Sequence, residues 1–168
     1  MKRINDPRAI LAVDPAPFGL AYVFFEGGEL RDWGRRFADR TDNGLLGSLS
    51  DLIQRFGADV LVIEDPAAPR NERRPRMRHI LRKFRKTATD NGLEVIAISR
   101  WAVRTFWKKR HGFARKLEVA VALAADFPEL GTLAPRPRKA WRSEDTRARL
   151  FDALTLVLFA FPSDSVSR

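Results

Sequence analysis

Apolar and polar positions alternate along this chain in two distinct rhythms. Ala9-Ile10-Leu11-Ala12-Val13 is an unbroken branched-chain run that predicts a buried strand, and Pro15, Pro17 and Gly19 are expected to break it. Leu20–Phe25 predicts a second strand and Glu29–Arg36 a third, joined by the hairpin signal Gly27-Gly28. The rhythm then turns helical. Leu45, Leu46, Leu49, Leu52, Ile53 and Phe56 predict a helix over 43–56, with Asn43 as N-cap and Gly57 as its stop. Val60–Ile63 is a short, wholly apolar fourth strand of the kind covered on both faces. Met77, Ile80, Leu81, Phe84 and Ala88 form a second helical stripe that Gly92 ends, and Val95–Ile98 is a fifth strand. Helical stretches follow over 101–109 and 114–127, then a proline-marked loop. A last helix is expected from Ser143, with Thr146, Glu144 and Asp145 at its start, to Phe161. A three-strand meander followed by alternating helix and strand predicts an α/β layer fold with a mixed sheet.

Three acids break this pattern. Asp14 directly follows the first strand, Glu64 directly follows the fourth, and Asp152 lies inside the most apolar segment, Leu150–Phe161. A carboxylate so close to a core must be paired, metal-bound or kept neutral. If the first and fourth strands are parallel neighbours, their carboxyl ends place Asp14 and Glu64 at one sheet edge, where open α/β sheets bind ligands. Asp152 joins them if its helix packs across that edge. Asp145 lies seven residues earlier, about two helical turns, and looks the same way. Such carboxylates suit hard divalent cations, and two ions ~4 Å apart can activate water and stabilise a leaving phosphodiester oxygen. Taken singly, a strand-end acid reads first as a turn former and Asp152 as an ion-pair partner of an Arg such as Arg149; the three together, each at the end of or inside an apolar run, point to chemistry.

Composition changes the picture by its sign. The chain has 168 residues, 31 Lys+Arg against 21 Asp+Glu, a formal net charge of +10 and no cysteine. That length predicts one domain over 1–168, with a core over 8–161 and a flexible tail over 162–168. The charge predicts a polyanionic partner, nucleic acid or an anionic membrane surface. Disulfides and thiolate metal sites are excluded. The first residues lack the apolar stretch of a signal peptide, and no run reaches the length that spans a membrane, so a cytoplasmic protein is expected.

The cations are clustered. Nine Arg or Lys lie between Arg70 and Lys86 with one Glu and one His, and most fall off the apolar stripe of their helix. Arg70, Arg73, Arg74, Arg76, Arg78, Arg82 and Lys83 are therefore candidates for phosphate contact. Seven more lie between Arg100 and Lys116, including Lys108 and Lys109, interleaved with Trp101, Phe106, Trp107 and Phe113. Aromatics among cations suit base stacking or wedging, but Trp101 and Phe106 are read first as core. Pro135–Lys139, with Trp141 and Arg142, is a third candidate contact. His79 and His111 lack a partner at metal-ligand spacing.

At this point the chain resembles the RuvC Holliday-junction resolvases. Ile10-Leu11-Ala12-Val13-Asp14-Pro15 followed by Gly19-Leu20-Ala21-Tyr22-Val23 resembles that family's opening strands. Val60–Glu64 resembles its second acidic strand, and Phe151-Asp152-Ala153-Leu154 its Asp-Ala-Leu-Ala helix. The order holds from about residue 8 to about residue 161. The resemblance implies an RNase H-like fold: a five-stranded sheet, antiparallel through strands 1-2-3 and parallel through 1-4-5, flanked by helices. It implies a homodimer, Mg²⁺ or Mn²⁺ (two ions), branched or junction DNA as partner with no small-molecule cofactor, and nicks leaving 5′-phosphate and 3′-hydroxyl ends. Asp14, Glu64 and Asp152 match the family's acids; Arg104 and Lys116 fall near its basic positions and are carried over as phosphate or transition-state contacts.

The chain also departs from that family. Ala16 and Pro17 replace the family's glycine, and the segment after Glu64 is broken by prolines and more basic. Arg149 stands where the family has another acid, with Asp145 as the candidate substitute. The expected function is a metal-dependent endonuclease on branched DNA. The alternative is a RuvC-like DNA- or RNA-binding module with weak or no turnover; a membrane-surface protein is a third, weaker reading.

Overall fold

The computed structural model describes residues 2–113, 115–137 and 146–163. Its sheet has five strands: β1 (Ile10–Ala16), β2 (Gly19–Glu26), β3 (Glu29–Phe37), β4 (Val60–Glu64) and β5 (Glu94–Ile98). Their order is β3-β2-β1-β4-β5, antiparallel through the first three and parallel across β1-β4-β5, the mixed RNase H-like topology expected. The β2–β3 turn requires Gly27 and Gly28 at φ 60° and 80°, a pair of left-handed conformations that suits the twist of a hairpin.

Among the described residues five α-helices cover the sheet: α1 (Asp42–Phe56), α2 (Pro75–Asp90), α3 (Arg100–His111), α4 (Lys116–Asp126) and α5 (Ala148–Ala160). The period-2 alternation of the strands sorts them into two layers. Leu11, Val13, Leu61 and Ile63 pack against α1 and α2. Ile10, Ala12, Val60 and Val62 pack against α3, α4 and above all α5. On α2 the predicted stripe Met77, Ile80, Leu81, Phe84 and Ala88 is buried.

Several local expectations are corrected. β1 does not stop at Val13 but runs through Asp14 and Pro15 to Ala16, paired with β2 throughout. Its pairing to β4 ends at Ala12, so Pro15, which cannot donate, falls where one side of the strand is open. Thr41, not Asn43, caps α1 by accepting the Gly44 N–H at 3.0 Å. α5 begins at Ala148, with Thr146 and Arg147 in a turn; the expected start at Ser143, and Asp145, lie outside the described residues. Part of the proline-marked loop is a 3₁₀ helix, Pro128–Leu133. Trp101 is 48% exposed rather than core. The buried residues of α3 are Val103 and Trp107, and Trp101 lies about 200° around the helix from Val103. Phe106 packs against the core as a partly buried ring. Among the described residues no helix is long and apolar enough to cross a membrane.

Candidate active site

Strand parity places the acids. Ile10 and Ala12 face the α5 layer, so Asp14, two residues on, faces it too. On β4, Val60 and Val62 do the same, and Glu64 follows. The parallel register pairs Ile10 with Val60 and Ala12 with Val62, and the same offset carries Asp14 towards Glu64. Asp152 lies on α5, which crosses this face. All three carboxylates are buried, at 0%, 3% and 9% exposure. The apolar strand residues before Asp14, at about 1.5–3 kcal/mol each, help hold the strand end in place.

The acids converge on a guanidinium. β5 ends at Ile98, Ser99 caps α3, and Arg100 is the first helical residue. Arg100 Nη2 donates to Asp14 Oδ1 at 3.0 Å and lies 3.5 Å from Glu64 Oε2, while Nη1 lies 3.3 Å from Asp152 Oδ1. Arg73 Nε donates to Glu64 Oε2 at 2.9 Å, and its other end contacts Asp14. Arg149 Nη1 is 3.3 Å from Asp14 Oδ2, and Lys116 Nζ is 3.0 Å from Asp152 Oδ2. Arg73 and Arg149 also donate to the Pro15 carbonyl, at 3.2 and 3.4 Å. Among the described residues three carboxylates thus face four cations. Among the described residues no three acids or histidines surround a common ion position; the Arg100 guanidinium stands among the acids instead.

Solved structures share this arrangement of strands and helices. Thermus thermophilus RuvC in complex with Holliday junction substrate aligns at TM-score 0.58 and 19% identity over 90% of each chain. A second Thermus thermophilus RuvC structure aligns at 0.55 and 21%, over 89% of this chain and 91% of that one. The yeast mitochondrial Holliday junction resolvase Ydc2 aligns at 0.58 and 12%, over 92% and 78%. The chain has the RuvC-type resolvase fold. No family model matches the sequence, and no curated protein matches it.

Within this RuvC fold the acids differ electrostatically. Burial pushes the Asp14 carboxyl up, but Arg73, Arg100 and Arg149 outweigh it and hold the group below its ordinary 3.8. Burial pushes Asp152 up further than Arg100 and Lys116 bring it down, and the charge on Asp14 adds to the rise. The stability Asp14 contributes is therefore present above the unfolded value and lost as pH falls through the folded one. For Asp152 the sign is reversed: its contribution is present at low pH and lost as pH rises through its raised folded value. At neutral pH in EDTA, Asp14→Asn should lower the melting temperature by about 4 °C or more. Asp152→Asn should leave it unchanged or raise it. Two thermal melts with shifts of the same sign would refute this contrast.

The predicted cations divide into groups. Arg73 and Lys116, expected on phosphate, lie on the acids. Arg76, His79 and Lys83 face Asp42 of α1. Arg104 pairs with Glu72 at 3.1 Å, and the Arg70 guanidinium stacks 4.6 Å over Trp101. Arg74, Arg82, Lys108 and Lys109 are exposed, while Arg78 is half-buried. Asp145, Arg138, Lys139, Trp141 and Arg142 lie outside the described residues. Sequence reasoning missed Arg100 as a site residue and paired Arg149 with the wrong acid. The available signal was position: Arg100 follows the end of β5, the third parallel strand to finish at this edge.

Proposed function

We propose that this protein is a divalent-metal-dependent endonuclease that nicks branched DNA. The supporting observation is the convergence of Asp14, Glu64 and Asp152, from two parallel strand ends and a helix, on the shared Arg100 guanidinium of a RuvC fold. An all-carboxylate donor set on rigid elements fits Mg²⁺ or Mn²⁺. When bound, such ions supply an activated water and stabilise the leaving oxygen. Asp14, Glu64 and Asp152 would hold them, with Asp145 a further candidate, once Arg73 and Arg100 turn away from the acids. Those guanidiniums, with Lys116 and Arg149, then face the scissile phosphate and offset its charge. Arg104, Lys108, Lys109 and the exposed arginines of the α2 segment hold the flanking backbone. A four-way junction presents two-fold-related strands, which two copies of the chain would cut as a dimer.

The test is a labelled four-way junction incubated with Mn²⁺ or with EDTA. Metal-dependent nicks support the enzyme. A shifted but uncut band supports the second reading, a binding module, which the guanidinium among the acids and the arginine at position 149 favour. The backbone contacts make a separate prediction. Arg74→Ala and Arg82→Ala should each weaken binding across all DNA sequences and reduce the slope of log affinity against log salt by about one. An unchanged slope would remove them from the interface.

A further inference from the structure

Two cavities adjoin at the acid cluster. The smaller, about 190 Å³, includes Glu64, Asp152, Arg73 and Arg149 in its walls. The larger, about 1060 Å³, lies between α3, α4 and α5. Arg100, Trp101, Arg104, Lys116 and Asp152 belong to the walls of both, so the two lie side by side at the acid cluster. The larger has an apolar lining that includes Val103, Leu117 and Phe151, and cations that include Lys108 and Arg115.

Trp107 lines this larger cavity with part of its ring and is 5% exposed, its indole N–H turned away from the open space. The ring is held in place: His111 stacks on it at 5.0 Å, and Phe113 stacks on His111 at 5.5 Å. At the threshold stands Trp101, half exposed beneath the Arg70 guanidinium. Arg70 has φ 60°, the one positive φ among the described non-glycine residues, and such strain collects at ligand clamps.

A fitting occupant has a flat apolar body that can lie against the Trp101 ring, and an anion one short tether away. We propose that the larger cavity receives one unpaired nucleobase while its phosphate stands over the acid cluster. A base inside a duplex has its faces stacked and its pairing edge engaged, so it cannot enter. The substrate class is then DNA with single-stranded character at the cut: a fork, a flap or an opened junction. The phosphate half of this inference rests on the nuclease reading; the base half does not.

The experiment is binding in EDTA of a single strand carrying 2-aminopurine and of the same strand in a duplex. The whole protein should bind the single strand roughly 10-fold more tightly, with a change in 2-aminopurine emission. Leu117→Trp, at a half-buried wall position, should bring the affinity ratio to about one. Trp101→Ala removes the exposed ring shared by the two cavities, and should lower the ratio several-fold. A ratio within one preparation does not depend on the fraction of protein folded. A wild-type ratio of one, or a ratio unmoved by both substitutions, overturns the pocket. Junction nicking with Mn²⁺ alongside a ratio of one overturns only the pocket. An intact ratio without nicking overturns only the nuclease reading.

Discussion

Asp14→Asn should reduce junction nicking by more than about 100-fold while binding in EDTA is retained or tightened. Asn preserves the size of the side chain but supplies a neutral oxygen where a hard cation needs a charged one. Asp14 is fully buried and touches Arg73, Arg100 and Arg149. Its neutralisation leaves two carboxylates against four cations, a ring more attractive to phosphate. Nicking and gel-shift titrations on one junction measure both effects. Unimpaired cleavage removes Asp14 from the chemistry, and lost binding makes it a structural group only.

Arg100→Ala should destabilise the fold by about 3–5 kcal/mol, read from denaturant unfolding. The side chain is 13% exposed and is the one cation among the described residues in contact with all three acids. Its removal leaves buried carboxylates without their shared partner. Arg100→Lys should recover only part of the loss, because an ammonium lacks the planar fork that bridges several acceptors. Loss of an exposed pair such as Lys86–Asp90 would barely register by comparison. A cost below about 1 kcal/mol for Arg100→Ala would place the cluster in that weak class.

The elements of this fold were legible because their apolar periods are clean. Ile10–Val13 and Val60–Ile63 announce buried strands, and Met77 to Ala88 announces a helix face. The acids stood out because each interrupts or ends such a run, and strand parity then sends Asp14 and Glu64 to one side. What could not be read was the far end of each long cation. With 31 Lys and Arg in the chain, spacing cannot say that Arg73 and Lys116 turn inward while Arg74 stays outside; the packing of α2, α3 and α4 decides it. The end of β1 is hidden in the sequence because proline ordinarily stops a strand, whereas β2 pairs with this one through Pro15. Trp101 has the side chain of a core residue but lies off the buried face of α3, which Val103 and Trp107, four residues apart, already supply.

That continued pairing of β1 bears on how the site responds to a ligand. Asp14 sits in a ladder, opposite Ala21, not in a loop; Glu64 is held opposite Ile98, and Asp152 within a helix. The carboxylates are preorganised, so little orientational entropy is left to lose when something binds them. Admitting a ligand to this centre falls instead to the side chains of Arg73 and Arg100, whose ion pairs with the acids would have to break first.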